Sequence, residues 1–152
     1  MLSMGHYGIY VNDIDRLTDF YVNVFGMSIV CRNQIDAGNW IEQLSEKEVN
    51  HIVITKLITD KGSITGSGDM LELIKIIFKD QEMDTSVNIR KFTDIGVSHL
   101  GIVCDNIMDT SSKIIRNGGE VIVSPFKREN GNWLSFGKDL EGNFLELIER
   151  KS

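Results

Sequence analysis

The chain has 152 residues, 41% of them apolar and 25% charged, with a formal net charge of −6. That length suits one domain, or two small modules sharing a core. The acidic balance argues against a surface that tracks nucleic-acid phosphates, which needs a basic footprint. No apolar run approaches the ~18 residues of a membrane span, and "MLSMGHYGIY" lacks the basic and apolar regions of a secretory leader. Cys31 and Cys104 stand far apart in the sequence and read as free thiols of a reducing compartment, so a cytoplasmic protein is expected.

Residues 5–11 open as a strand, after which Asn12 or Asp13 can cap a helix carrying Ile14, Leu17, Tyr21 and Val24 at helical spacing. Gly26 is a natural stop. Strands are expected near 27–35, 50–58 and 69–78, with "NWIEQLSE" (39–46) forming a short helix or lid between the first two. The polar stretch 79–94 reads as a linker without the Gly/Ser content of a floppy one. A second strand begins at His99, and Asp105 or Asn106 caps a helix whose thinner stripe is Ile107, Ile114 and Ile115. Gly118-Gly119 ends it, and strands follow near 119–124, 132–137 and 143–149.

The two halves repeat one another. Residues 6–30 align with 99–123 without a gap, matching His6 with His99, Gly8 with Gly101, Ile9 with Ile102 and Ile14 with Ile107. The offset is 99 − 6 = 93 residues, whereas the glutamates of "GDMLELI" and "GNFLELI" stand 146 − 72 = 74 apart. The first half therefore carries 93 − 74 = 19 extra residues before its last strand. The expected fold class is α+β, a single domain of two tandem βαβββ modules at about 1–78 and 95–152, joined by 79–94.

A carboxylate inside an apolar strand has to sit at a rim, meet a cation, or destabilise the sheet. Glu72 and Glu146 present that exception twice, and each module also carries a histidine with a glycine two positions later on the same strand face. Such a glycine weakens the strand but leaves room beside the imidazole. Two imidazoles and two carboxylates suit a borderline divalent ion such as Zn²⁺, Ni²⁺, Co²⁺, Mn²⁺ or Fe²⁺, with positions left for water or substrate oxygens.

With "HYGI" and "HLGI" opening its modules and "MLELI" and "FLELI" closing them, the chain resembles the vicinal oxygen chelate superfamily, which includes glyoxalase I, methylmalonyl-CoA epimerase, extradiol dioxygenases and antibiotic-resistance proteins. The resemblance spans essentially the whole chain and is most specific in the His/Glu pairs and "DLEGNFLELIE" (139–149). It implies that the modules curl their sheets into a cup around a metal held by His6, Glu72, His99 and Glu146. It also implies a homodimer, a small-molecule substrate, and a Zn, Ni, Co or Mn ion as cofactor; the acidic charge and the lack of a spanning apolar run leave neither nucleic acid nor membrane as an expected partner.

On the glyoxalase I pattern the enzyme is a lyase or isomerase, and Glu146 is both ligand and catalytic base. The alternatives are an epimerase-like enzyme and a non-catalytic binding protein of the antibiotic-resistance type. The epimerase branch often has glutamine where this chain has Glu72, and its other acid–base carboxylate would fall near Glu46 or Glu48. A dioxygenase uses two histidines and one carboxylate, so a fourth ligand disfavours it. The 31–69 region, where "DAGNWIEQL" has no counterpart in small family members, is expected to line the substrate pocket. His51 reads as an ordinary strand residue, and Trp40 and Trp133 as packing residues. Arg90, Lys91, Lys127 and Arg128 read as solvated cations that an acidic substrate could also meet.

Overall fold

A computed structural model describes residues 4–45, 48–66, 68–80 and 91–151. The chain divides into two compact units, Met1–Val87 and Asn88–Ser152. Most of the expected 79–94 linker, together with Glu46 and Arg90, lies outside the described residues.

The first unit runs β1 (His6–Tyr10), α1 (Ile14–Phe25), β2 (Ser28–Asp36), α2 (Asn39–Leu44), β3 (Val49–Ile58), α3 (Asp60–Thr65) and β4 (Met70–Phe78). The second runs β5 (Leu100–Val103), α4 (Ile107–Arg116), β6 (Glu120–Lys127), β7 (Trp133–Lys138) and β8 (Phe144–Glu149). Each unit forms a four-stranded mixed sheet, in the order β1-β4-β3-β2 or β5-β8-β7-β6. The first and last strands of each unit are parallel neighbours and the remaining pairs are antiparallel. The expected βαβββ repeat is therefore present twice.

The helices form where the sequence signals them. Asp13 caps α1 by accepting from the Arg16 amide, and Gly26 closes it in the left-handed region at φ 67°. Asn106 caps α4 by accepting from the Asp109 amide, and the Glu149 carboxylate takes the Ile107 amide at 2.7 Å. A carboxylate at that end also meets the positive end of the helix dipole. Leu17, Phe20, Tyr21 and Val24 of α1 are buried, and the helix packs on β2, β3 and β4. By strand alternation Leu57, Leu71 and Leu73, all buried, share one sheet face. In the second unit α4 packs on β6, β7 and β8 through Ile107 and Ile114, with Leu145 and Leu147 buried. Ile115 departs from expectation. It is 60% exposed, and the buried stripe of α4 is Ile107, Thr110, Ser111 and Ile114.

Matching strand positions divide the 19-residue insertion. Thr55 pairs with Leu73, and Ser135 pairs with Leu147, so these two hydroxyl residues correspond at an offset of 135 − 55 = 80. Thirteen of the extra residues (93 − 80) thus precede β3, where α2 lies, and six (80 − 74) form the α3 excursion before β4. Both hydroxyls are fully buried and both serve an irregular outer strand. Thr55 accepts from the Asn33 amide, which has φ 52°, and Ser135 donates to the Val123 carbonyl at 2.8 Å.

Candidate metal centre

In the first unit, Gly8 of β1 is the register partner of Glu72 in β4. His6 lies two residues before Gly8 on the same face, and its Nε2 stands 3.5 Å from Glu72 Oε2. The Glu72 side chain is only 8% exposed, so this carboxylate cannot rely on water for its charge. Its other oxygen is satisfied from the opposite neighbour strand. Lys56 of β3 is the register partner of Glu72, with Nζ 2.9 Å from Oε1. The hydrogen bond to Glu72, and then its negative charge, hold the Lys56 ammonium above its ordinary pKa.

The second unit repeats the register. Gly101 of β5 partners Glu146 of β8, and His99, immediately before β5, brings Nε2 to 3.1 Å from Glu146 Oε2. Its other ring nitrogen, Nδ1, lies 2.8 Å from Ser98 Oγ. A hydroxyl there holds the ring's orientation, the task that outer partners perform for ligating histidines. Phe92 stacks on the imidazole at 6.3 Å and 11°, and Phe136 meets it edge-on at 6.0 Å. Phe136 is the register partner of Glu146, the position that Lys56 holds beside Glu72. One pair therefore faces an ammonium and the other an aromatic ring.

The glycines do what the spacing implies. A Cβ on Gly8 would stand 3.3 Å from Ile74 Cδ1, and one on Gly101 would stand 3.6 Å from Glu146 Oε2, using up the space beside each pair. The inserted helix α2 also belongs to this face. Ile41 packs with Val49 and Ile52, against Ile54, Ile74 and Ile76, and the last three alternate in phase with Glu72. The "DLEGN" turn serves architecture. Asp139 Oδ1 accepts from the amides of Glu141 and Asn143, which sets the entry of β8 and hence Glu146.

All four residues singled out in the sequence are thus drawn into His–Glu pairs, one pair per unit. Lys56, Ser98 and Phe92 escaped sequence reasoning. Lys56 was within reach, because aligning Thr55 with Ser135 sets the next residues, Lys56 and Phe136, in equivalent places. Glu48, Lys91, Lys127 and Arg128 are exposed, His51 and Trp133 are half-buried, and Trp40 is exposed. The donors, imidazole nitrogen and carboxylate oxygen, suit a borderline divalent ion in chemistry. Each unit by itself supplies two of them, and among the described residues no group of three or more His, Cys, Asp or Glu could hold an ion. The Lys56 ammonium also works against a cation beside Oε1 of Glu72.

Residues 3–147 match the family model of the Glyoxalase/Bleomycin resistance protein/Dioxygenase superfamily. Among solved structures, a glyoxalase family protein from Bacillus cereus is similar at 17% identity and TM-score 0.81, over 100% of this chain and 96% of that one. A glyoxylase/bleomycin resistance protein/dioxygenase domain from Frankia sp. is similar at 13% identity and TM-score 0.68, over 99% of each chain. Glyoxalase I from Zea mays is similar at 21% identity and TM-score 0.64; the match covers 98% of this chain but 45% of the maize chain. Among curated protein sequences, none matches. Among the described residues no helix is long and apolar enough to cross a membrane.

Proposed function

The chain belongs to the Glyoxalase/Bleomycin resistance protein/Dioxygenase superfamily, and on that premise we propose that it is a metal-dependent lyase or isomerase of the glyoxalase I type. His6, Glu72, His99 and Glu146 are the residues to hold a Zn, Ni, Co or Mn ion. One observation carries this reading: the same His–Gly strand stands in the same register against the same glutamate in both units. With an ion bound there, these residues would hold a Lewis acid that could polarise a substrate carbonyl and acidify the neighbouring C–H.

The chain's own residues supply the rest. Glu146 accepts the proton, since among the described residues its one ion-pair partner is His99. Ser98 orients His99, and the rings of Phe92 and Phe136 pack against the imidazole. The substrate is a small α-hydroxy- or α-keto-type carbonyl compound, and the apolar wall built by Ile41 and Ile74 supports a partly apolar body for it. Exposed apolar residues on the outer strands, Ile29 and Val30 on β2 with Ile122 and Val123 on β6, support a homodimer that covers those edges. The free thiols of Cys31 and Cys104 support a cytoplasmic setting.

The test is proton-to-deuteron exchange at the α-carbon of methylglyoxal–thiol adducts and of acyl-CoA esters in D₂O, with protein of known metal content. Exchange on the adducts supports the glyoxalase reading, and exchange on acyl-CoA esters alone supports the epimerase-like one. No exchange by fully metallated protein refutes both. A second reading draws on Lys56: an ammonium that neutralises Glu72 suits a non-catalytic binding protein of the same fold.

A further inference from the structure

We propose that Lys138 is an anion subsite beside Glu146: it takes the carboxylate of a ligand whose carbonyl sits at the His99–Glu146 pair. The inference rests on the reading of that pair given above. It adds the chemical class of the substrate, a small carbonyl compound carrying an acid a few carbons away.

Lys138 of β7 is the register partner of Phe144, which stands two residues before Glu146 on the same face of β8. Glu146 is thus its diagonal neighbour, and such positions lie roughly 7–8 Å apart across an antiparallel pair. On its other side Lys138 is paired in register with Glu120 of β6, the obvious counter-ion. The ammonium turns away from that carboxylate. Its Nζ lies over the Phe144 ring, 5.1 Å from the centroid, and among the described residues it forms no ion pair. Lys138 is half-buried, so its charge gives up part of its water and meets only a ring face in return. A carboxylate offers it more, because a hydrogen bond between charged groups is the stronger contact.

The same charges fix the direction of the ligand. Glu146 repels an acid placed next to it and Lys138 attracts one, so the acid goes to the lysine and the carbonyl to the glutamate. The first unit is built otherwise. Ile58, paired with Met70, holds the place that Lys138 holds, and Lys56 stands directly opposite Glu72, bound to it at 2.9 Å. Its lysine is already taken.

The experiment follows the Phe144 ring by NMR in ring-labelled full-length protein while levulinate, a keto acid, or levulinamide, its neutral amide, is titrated in. Wild type is expected to bind levulinate about tenfold more tightly or better, the gain of one hydrogen bond to a charged group. Lys138→Met, and Lys138→Gln should Lys138→Met not fold, are expected to bring the two affinities together. Lys138→Arg, which keeps the charge, should keep the preference. Equal affinities in the wild type, no binding of either compound, or a preference that survives in the neutral variants overturns the subsite and leaves the proton-transfer reading standing. A preference that needs Lys138, in a metallated protein that catalyses no α-proton exchange, upholds the subsite and refutes the reaction.

Discussion

Ser98 Oγ lies 2.8 Å from Nδ1 of His99, the ring nitrogen that faces away from Glu146. The hydroxyl can donate or accept, whereas the Glu146 carboxylate can only accept, so the pair of contacts favours the proton on Nε2 with Ser98 donating to Nδ1. Ser98→Ala should leave the fold intact and weaken metal binding by roughly tenfold. Nitrogen NMR of the imidazole checks the cause: the Nδ1 resonance should shift in the variant, which lacks the hydroxyl bonded to it in the wild type. An unshifted spectrum together with unchanged affinity would remove the serine from the site.

The two glutamates should respond differently to the same substitution. Glu146→Gln is expected to keep the fold and lose roughly 10²-fold or more in α-proton exchange, the range of a lost general base. Glu72→Gln should cost less in exchange, since an amide oxygen still ligates, but it leaves Lys56 without the carboxylate that now neutralises it. Exchange rates and thermal midpoints measured side by side on both variants separate the two effects. Equal losses of rate would contradict the assignment of the base.

Gly137 is fixed by close approach rather than by φ. A Cβ there would stand 2.5 Å from the backbone oxygen of Glu120, and both strands are held by pairing, so neither yields cheaply. Gly137→Ala should destabilise the second unit by about 1–3 kcal/mol, the usual cost of overpacking. Urea denaturation reads it, with Gly142→Ala at an open turn position of φ 83° as the comparison for simple backbone strain. A Gly137→Ala protein as stable as wild type would disprove the close approach.

Cys104 supplies a pH test. Burial raises its thiol pKa, and the nearby charges of Glu149 and Asp105 push the same way. Because the folded value lies above the unfolded one, stability from this group is intact below the unfolded thiol pKa and declines as pH rises through the folded one. In a Cys31→Ser background, alkylation of Cys104 at pH 8.5 should be several-fold slower in the native protein than in urea. Equal rates would show that the thiol is not protected.

Much of this was legible in the sequence, and the misses have physical causes. Helix caps are local chemistry, so Asp13, Gly26 and Asn106 could be read directly. His6, Glu72, His99 and Glu146 emerged because duplication turned single ambiguous residues into a pattern. Ile115 misled because one apolar residue beside a stripe looks like part of it, whereas Thr110 and Ser111 fill the buried face of α4. Lys56 and Ser98 stayed hidden for another reason. What they do depends on cross-strand register or on the rotamer of a neighbour, and neither leaves a mark in the spacing of their own strand.

In each sheet the last strand to be made sits second in spatial order, between the first strand and the third. During synthesis β1 therefore waits without a neighbour until Met70–Phe78 emerges, and β5 waits for Phe144–Glu149. The ribosome delivers the first His–Glu pair as a finished object while the second half is still being translated, and the second pair closes only with the final strand. A chain stalled short of residue 144 would thus carry one finished His–Glu pair and leave β5 and β7 without the strand that belongs between them. Premature termination there opens a seam inside the sheet rather than removing a surface loop, and exposes two unpaired strand edges.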